Sequence, residues 1–573
     1  MKKILAILLA LVLLFGLVAC GAESQEQTDA EATAQTETAA EDSGYKGELP
    51  LVQPGEDNKI TIGIRVQGTV LDYENNALTK WIEEQTGVDI EFVQFAGSAS
   101  DGATQVSLMM AAGEKLPDIL YLFGGIAKTQ GEQYGRDGYF ADLSPYIGKY
   151  DYYTKESYAR QFGDDADMLY TAMINRGTSA NNGSLYAFPY LLWTPLQTPK
   201  NFVYINQQWL DNLGLQAPTT IDELYDVLVA FRDQDPNGNG KADEIPMIGV
   251  ANSKVANDIT QYLINAFTYT NDSYFFTIND SKLSTCYLND AYRQALIYMR
   301  KLSDEGLLSP LTWTTSTKEI TALTNPTDGV YTVGILTDSK GEGFEQDHES
   351  VDVYTPLAPL KDAGYGEGGY GVMTSYSMNY QTYVSADCEN PELAFKLLDF
   401  MNSEEATLRT HWGIPGEDWD YSDGSVVGHT GEPARIKIMN FNVNDTQNDH
   451  SWHTTCSTYS DWYYTYESPD DGSWISKHTK NLLTTYQQHL DAGQPKQVFN
   501  YTEYNQEETE WREENYLDIV DYMKQSRVEF CGGKLDPSND AQWQEYVDNM
   551  KALGYDKWVE IAQTSWDRTQ PPF

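Results

Sequence analysis

The chain has 573 residues, and 38 Lys and Arg against 85 Asp and Glu give a formal net charge of −47 at pH 7. So acidic a surface repels phosphate backbones and anionic membrane surfaces, which excludes nucleic acid as a partner and favours a neutral or cationic one. The 13 Trp, 40 Tyr and 19 Phe exclude disorder for most of the chain, because a solvated polymer does not carry so much aromatic surface.

Residues 1–20 are predicted to be a lipoprotein signal peptide. Lys2-Lys3 precedes an apolar run over residues 4–18, which is too short to span a bilayer comfortably and has the length of a signal peptide core. The run ends in Ala19-Cys20-Gly21, which is similar to a bacterial lipobox with Cys20 as the lipidated residue; the alternative is an ordinary secretory signal. Because two acyl chains anchor stably, we expect a protein on the extracytoplasmic face of the cell membrane, attached through lipid alone.

Residues 21–57 are predicted to be a disordered acidic tether. From Ala22 to about Gly47 the composition is Ala, Glu, Gln, Thr, Ser and Asp, with Tyr45 as the single aromatic residue. Such a segment cannot bury enough apolar surface to order itself. It would hold the folded body away from the membrane.

Residues 58–187 are predicted to form the first part of lobe 1. Apolar residues alternate from Ile60 to Val66 as in a strand, and those from Leu78 to Gln85 follow a helical period that ends at Gly87. A second strand, a second helix and the strand 119–122 follow, so the order β-α-β-α-β predicts parallel strands with right-handed crossovers. Ligands of such sheets bind beyond the carboxyl ends of the strands, which makes Phe123 a candidate ligand contact.

Residues 188–360 are predicted to form lobe 2, and residues 361–573 to return between the lobes and end in a helical region. Thr220-x-x-Glu223 is typical of a capping box that opens a helix. Near the carboxyl terminus Asp536 is predicted to cap a helix whose buried face includes Trp543 and Tyr546.

The acidic loop after the helix that follows Thr220 is predicted to bind a structural Ca²⁺, which prefers six to eight oxygen ligands. In the favoured register the ligands are Asp235, Asn237, Asn239, the carbonyl of Lys241, Asp243 and Glu244, with Gly240 at the bend. A second register begins at Asp233 and fits the EF-hand consensus, but it leaves Asp243 unused. The remaining alternative is a solvated polar turn.

Aromatic side chains close to polar ones are predicted to stack on a sugar, because a pyranose ring has apolar C–H faces surrounded by hydroxyl groups. The candidates are Tyr190, Trp193, Trp412, Trp452 and Trp462. The last two lie in a polar stretch, 445–474, whose aromatic residues have no helical period. For each residue the alternative is a position in the core.

The remaining motifs do not predict a dinucleotide site, a metal site or a particular disulfide. Gly364-x-Gly366-x-x-Gly369 matches a dinucleotide fingerprint only in its letters, because it does not open a helix. His450-x-x-His453-x-x-Cys456 has no fourth ligand at an ordered spacing. The spacing of the cysteines after Cys20 leaves their pairing open.

Several motifs together resemble the LipO-type extracellular solute-binding lipoproteins, the family 1 substrate-binding proteins of ABC importers. The motifs are Lys115-Leu116-Pro117-Asp118-Ile119, Tyr186-Ala187-Phe188-Pro189, Tyr204-Ile205-Asn206 and the run from Asp235 to Pro246. The resemblance covers most of the chain from about Ile60. It implies an α/β, two-lobed, periplasmic-binding-protein-like fold with parallel-sheet lobes joined by crossover strands, an interlobe cleft and saccharide ligands.

We therefore expect a capture protein without enzymatic activity, which closes on an oligosaccharide and delivers it to the permease subunits of an ABC transporter. In such a closure the ligand stabilises the closed state by touching both lobes. One alternative is an exported glycoside hydrolase, which needs a carboxylic acid with a raised pKa opposite a second carboxylate. Another is the same binding fold used for peptides or as a sensor subunit.

Overall fold

The computed structural model describes the chain from residue 44 to residue 569, with gaps. The gaps are 54, 180, 194–200, 252–257, 271–274, 280–281, 338–342, 346–347, 373–376, 427–432, 441–442, 444–445, 454–457, 460–466, 468–471, 494–496 and 499–503. Only the backbone is described at 161, 165, 191–193, 279, 377–379, 458–459, 475, 497–498, 506 and 569. None of the helices in these described ranges is both long enough and apolar enough to cross a membrane.

Strands and helices alternate along the described chain. The strands are β1 (Lys59–Arg65), β2 (Asp89–Phe95), β3 (Ile119–Leu120), β4 (Ala187–Trp193), β5 (Val203–Asn206), β6 (Ile245–Ile248), β7 (Thr277–Asn279), β8 (Lys282–Ser284), β9 (Val333–Thr337), β10 (Tyr354–Pro356), β11 (Ser377–Val384), β12 (Trp419–Tyr421), β13 (Ile436–Ile438), β14 (Thr458–Tyr459) and β15 (Gln497–Val498). The helices are α1 (Ala77–Thr86), α2 (Ala99–Ala112), α3 (Lys128–Arg136), α4 (Tyr152–Phe162), α5 (Ala166–Gly177), α6 (Gln207–Leu213), α7 (Ile221–Asp233), α8 (Ile259–Ile264), α9 (Asp290–Asp304), α10 (Thr317–Thr324), α11 (Ser350–Val353), α12 (Pro391–Phe400), α13 (Glu404–Trp412), α14 (Trp474–Ala492), α15 (Gln506–Cys531), α16 (Asp540–Ala552) and α17 (Tyr555–Thr569). A short 3₁₀ helix at Pro310–Trp313 lies close to the end of β6.

The first lobe begins with the predicted β-α-β-α-β order. The alternating isoleucines of β1 are buried, and α1 ends at Gly87, whose φ of 73° is the left-handed conformation that glycine adopts easily. β1 pairs in parallel with both β2 and β3. β3 is shorter than predicted, because the backbone turns at Leu122 with a φ of 45°.

The first sheet also recruits strands from later in the chain. Its spatial order is β14-β4-β11-β3-β1-β2, and β11 is antiparallel to both β3 and β4. The sheet is therefore mixed: β11, near its centre, runs antiparallel to the strands on either side of it, and the remaining neighbouring pairs are parallel. Because β4 belongs to it, the first lobe continues to Trp193, whereas the sequence predicted a boundary after residue 187.

The second lobe is built on the sheet β10-β5-β9-β6. β6 and β9 are parallel, and β5 is antiparallel to β9. The helical carboxyl-terminal region packs here, because α15 contacts α9, α16 and α17, and Met523 and Trp558 share one buried cluster with Ile205 and Leu228. Both sheets lie in one compact unit of the chain.

Two predicted helix caps differ from the structure. Thr220 accepts from the Glu223 backbone N–H at 3.2 Å, but the Glu223 carboxylate accepts from the Thr219 N–H at 2.8 Å, so only half of the capping box forms. α16 is capped by Asn539. Asp536 instead accepts from the Ser538 N–H at 2.9 Å in the turn that precedes the helix.

Part of the predicted tether packs against the first lobe. The ring of Tyr45 lies edge-on to Tyr150 at 5.7 Å, the Tyr153 hydroxyl donates to the Gly47 carbonyl at 2.8 Å, and Val52 is in the lobe core. The folded body therefore already includes Gly44.

The fully buried carboxylate of Asp399 holds the start of α4, because it accepts from the Tyr153 N–H at 2.9 Å. Burial raises the pKa of Asp399 to about 7.

The described cysteines are buried at separate positions. Cys388 and Cys531 are free thiols. Burial raises the pKa of Cys388 to about 11 and that of Cys531 to about 12, so neither is a reactive thiolate. Cys20 and Cys456 lie outside the described residues.

Candidate functional site

Three connections between described elements join the lobes, and each of them meets the first sheet at the same edge. β4 leads to β5, β10 leads to β11, and β14 is followed by α14, which packs on β10 and α11 of the second lobe. Leu192 pairs with Ser377 and Trp193 pairs with Tyr459, so the three crossings meet the first sheet side by side. Because β4 runs parallel to β1 and β3, the carboxyl ends of those strands lie at this edge too.

The crossings also reach the carboxyl edge of the second sheet. Val203, the first residue of β5, pairs with Thr337, the last residue of β9, and β6 ends at the same edge. The N–H of Ala251 donates to the Thr312 carbonyl at 3.0 Å, which places the 3₁₀ helix there. The carboxyl edges of α/β sheets are where ligands bind, so the crossings join two ligand-binding edges.

The turn after β3 presents its backbone, but not the Phe123 ring, at this edge. The Phe123 N–H donates to the Gln381 carbonyl at 2.6 Å, and the ring packs edge-on against Phe95 at 4.9 Å in the core. Gly124 and Gly125 follow it and are partly or fully exposed. Because the Phe123 side chain is fully buried, it offers no face to a ligand.

Three more of the predicted sugar-stacking aromatic residues lie in cores. Tyr190 and Trp452 are fully buried in the core of the first lobe, and the Trp452 indole donates to the Thr79 hydroxyl at 2.8 Å. Trp412 packs with Trp419 in a smaller buried cluster. The rings of these three residues have no open face for stacking.

The two other predicted aromatic contacts are not described as side chains. The backbone of Trp193 ends β4 and lies beside the crossings, but its side chain is outside the described residues. Trp462 lies entirely outside them. Both stay predictions.

The described part of the polar stretch 445–474 packs on the loop that follows β1. Asn448 pairs with Val70, and the His453 imidazole lies 2.5 Å from the Thr69 hydroxyl. His450 bonds instead to Asp418 at 2.7 Å. The two imidazoles therefore have separate partners, and no group of three His, Cys, Asp or Glu side chains suited to a metal occurs in the described ranges.

In the glycine-rich loop from Gly364 to Gly369, the carboxylate of Asp362 occupies the backbone N–H groups. Asp362 accepts from the N–H groups of Gly364 at 3.2 Å, Gly366 at 2.9 Å and Gly368 at 3.3 Å. A phosphate would need these same donors. The loop is thus closed to a dinucleotide by an internal anion.

The predicted calcium loop is held by hydrogen bonds among its own side chains. Asp235, with a φ of 46°, accepts from the Gly240 N–H at 3.0 Å. Asp243 accepts from the Asn239 side-chain amide at 3.0 Å. Asp233 points to its neighbour Arg232, with 2.7 Å between Nε and the carboxylate, which favours the register that begins at Asp235.

Glu244 gives the loop an unsatisfied carboxylate. Its Oε1 is buried without a hydrogen-bond partner. Burial and the nearby carboxylates of Asp243 and Asp235 raise its pKa. A hard divalent cation would relieve both effects, and oxygen donors of this kind are what Ca²⁺ prefers. The carboxylates of the loop are not gathered into a group of three around one point in the described structure, so an ion would have to draw them together.

Two α/β lobes whose ligand-binding edges are joined by three crossings define a two-lobed binding protein. The chain belongs to the bacterial extracellular solute-binding protein family, whose sequence profile matches residues 71–408. This confirms the family resemblance predicted from the motifs.

The chain is similar to curated proteins of this family over most of its length. It is 24% identical over 514 residues to the fructooligosaccharide ABC transporter substrate-binding protein FusA of Streptococcus pneumoniae, which covers 87% of this chain and 88% of FusA. It is also 24% identical over 368 residues to lipoprotein LipO of Bacillus subtilis, covering 60% and 64% of the two chains. FusA is named as a substrate-binding protein and not as an enzyme.

Solved structures share the fold. An EF-hand mutant of FusA in complex with fructo-nystose has a TM-score of 0.67 at 20% identity and covers 89% of this chain and 99% of its own. An extracellular solute-binding protein from Bifidobacterium longum subsp. infantis has a TM-score of 0.71 at 19% identity, with 90% and 99% covered. At these identities the structures establish the two-lobed architecture.

Proposed function

We propose that this protein is a lipid-anchored extracellular substrate-binding protein that captures an oligosaccharide between its lobes for an ABC importer. The observation that carries the proposal is the set of three crossings that join the two carboxyl edges, because such connections act as a hinge around a ligand. Family membership and the fructooligosaccharide specificity of FusA support a saccharide as the solute.

A glycan array tests this function. The array holds kestose and other fructooligosaccharides, milk-type oligosaccharides and N-glycans, and we expect micromolar or tighter binding to one class. Overnight incubation with a bound glycan should return it intact. Release of a shorter sugar would instead support the glycoside hydrolase, and binding to none of the glycans would contradict a saccharide ligand.

We also propose that Trp193 stacks on a sugar ring, with Trp462 as a second contact. The position of Trp193 at the end of β4, between two of the crossings, supports this role. An indole ring at this position would face a ligand that enters between the lobes.

The loop from Asp235 to Glu244 is proposed to hold a structural Ca²⁺ through its carboxylate, amide and carbonyl oxygens. The EF-hand of the similar protein FusA and the unsatisfied Glu244 carboxylate support this assignment. The loop lies between α7 and β6, away from the crossings. Calcium would therefore stabilise the second lobe without touching the ligand.

Chelation with EGTA is expected to lower the free energy of unfolding by about 3 kcal/mol relative to calcium at about 100-fold its Kd, with saccharide affinity retained. Asp243→Ala should reproduce the loss and be insensitive to EGTA. Asp233→Ala is the matched control, because that carboxylate pairs with Arg232, and its stability should match the parent. The reverse result for the two variants would favour the register that begins at Asp233.

The lipid anchor is tested at Cys20. Cys20→Ser is expected to abolish incorporation of labelled palmitate and to leave an unprocessed precursor, since only the thiol accepts the diacylglycerol. Cys456→Ser serves as the control and should be labelled as the parent is. Normal acylation of the Cys20 variant would refute the lipobox assignment.

A further inference from the structure

We propose that Arg65 contacts the ligand from the wall of the first lobe, where its guanidinium donates to adjacent hydroxyl oxygens of a neutral saccharide. The inference rests on the proposed function. It adds a residue that the sequence patterns did not mark.

The position of Arg65 is central to the ligand-binding edge. It is the last residue of β1, between the exits of β2 and β3 in the sheet order. Its Nη1 donates to the Gly97 carbonyl at 2.8 Å, which fixes the plane of the guanidinium. The side chain is half-buried, so it is held in place yet reachable from the crossings.

The rest of the guanidinium has little to bind among the described residues. Nε is buried without a hydrogen-bond partner, and the bond to Gly97 is its hydrogen bond to the described residues. Most other described arginines pair with a carboxylate, as Arg409 does with Glu405 at 2.7 Å. In a chain with a net charge of −47, an arginine left without a carboxylate keeps its donors for another partner.

The backbone of Gly124 lies next to this guanidinium. A Cβ built on Gly124 would lie 3.3 Å from the Gln381 Oε1 and 3.6 Å from the Arg65 Nη2. The turn therefore lies beside a donor and an acceptor, which is what a pair of hydroxyl groups requires.

The turn itself does not require glycine at position 124. Its φ lies outside the left-handed range, whereas the neighbouring Gly125 has a φ of 105° and a Cβ there would lie 2.2 Å from the Ala99 carbonyl oxygen. Gly125 thus serves the fold. Gly124 instead lets the turn approach the Arg65 and Gln381 side chains closely, because a Cβ would contact both of them.

The charge of the protein favours a neutral occupant. The acidic surface repels a carboxylate-bearing sugar at long range, while a guanidinium binds hydroxyl oxygens through charge-assisted hydrogen bonds. A planar fork also matches two neighbouring oxygens better than the point charge of a lysine does.

The experiment titrates the full-length protein in detergent with kestose and with the oligosaccharide array, and compares four variants. Arg65→Gln should weaken binding by about 10-fold to 100-fold, and Arg65→Lys should restore only part of the loss. Gly124→Ala should weaken binding at an unchanged melting temperature, because its new contacts are with the ends of flexible side chains. Lys59→Gln is the control: it removes the same charge at the opposite end of β1 and should bind as the parent does.

Each outcome decides between assignments. Parental affinity in both Arg65→Gln and Gly124→Ala would overturn the inference while leaving the proposed function intact, and should Arg65→Gln fail to fold, Gly124→Ala decides alone. A steep loss of affinity with rising salt would show a carboxylate ligand and overturn the neutral saccharide. A parent protein that binds no glycan of the array would overturn the proposed function together with this inference.

Discussion

Replacement of Trp452 by alanine is expected to lower the free energy of unfolding by about 3 to 5 kcal/mol, without a specific loss of saccharide affinity in the folded fraction. The indole is fully buried. It lies edge-on to Phe92 at 5.3 Å and to Tyr121 at 5.5 Å, and its N–H donates to the Thr79 hydroxyl at 2.8 Å. Truncation would leave a cavity between α1 and the sheet, and the Thr79 hydroxyl would keep only its bond to the Tyr73 carbonyl, at 2.7 Å.

Urea unfolding and titration with an array-selected glycan measure the two effects separately. Trp452→Phe keeps most of the ring and loses only the hydrogen bond, so its cost should be smaller, about 1 to 2 kcal/mol. Tyr421→Ala, at an aromatic side chain with 54% exposure, should change stability by less than about 1 kcal/mol. A Trp452→Ala protein that is as stable as the parent but no longer binds sugar would restore the ligand role predicted from the sequence.

The buried position of Trp452 illustrates which features a single sequence does and does not reveal. The strand β1 and the helix α1 were predicted correctly because their alternating and helical periods are local. Trp452 stands among polar residues without a period, and its hydrogen-bond partner Thr79 is 373 residues away. No local pattern records that contact, so a buried indole and a sugar-stacking indole have the same appearance in the sequence.

The ligand-binding edge was predicted only in part for a similar reason. The rule that ligands bind beyond the carboxyl ends of strands predicts a ligand contact at Phe123 after β3. The same rule applies to Arg65 at the end of β1. The signal was available, since a charged residue ends an apolar alternating strand. What the sequence cannot show is that Gly97 and Gly124 come together around it, because they follow different strands.

The calcium loop is the opposite case. All of its proposed ligands lie between Asp235 and Glu244, so a spacing rule suffices to find them. The choice between its two registers depends on one further local contact, the pairing of Asp233 with Arg232. Sites made from one segment are therefore accessible to sequence analysis, whereas sites made from several strand ends are not.

Replacement of Arg527 by alanine is the second change with a large expected effect, a loss of about 3 to 5 kcal/mol in the free energy of unfolding. Its side chain and that of Asp258 are 0% and 1% exposed, with 3.8 Å between Nη1 and Oδ2. Nη1 also donates to the Thr260 hydroxyl at 2.7 Å. Removal of the guanidinium would leave a buried carboxylate without its cation, which costs far more than the lost contact alone.

The location of this pair connects the carboxyl-terminal helices to the ligand-binding edge. Arg527 lies in α15, and Asp258 caps α8 by accepting from the Thr260 N–H at 2.9 Å. The Asn201 side chain, just before β5, donates to the Asp258 carbonyl at 3.2 Å. The pair thus holds the start of α8 and, through Asn201, the end of the crossing from β4 to β5. A weakened saccharide affinity should therefore accompany the loss of stability.

The control for Arg527 is Arg232→Ala, which breaks an exposed pair with side chains 36% and 51% exposed and should cost at most about 1 kcal/mol. The double variant Arg527→Met with Asp258→Asn removes both charges, so it should be more stable than the sum of the two single losses predicts. Chemical unfolding of the parent, Arg527→Met, Asp258→Asn and the double variant measures the coupling. A cost for Arg527→Ala no greater than that of the exposed control would mean that the guanidinium does not stabilise a buried charge.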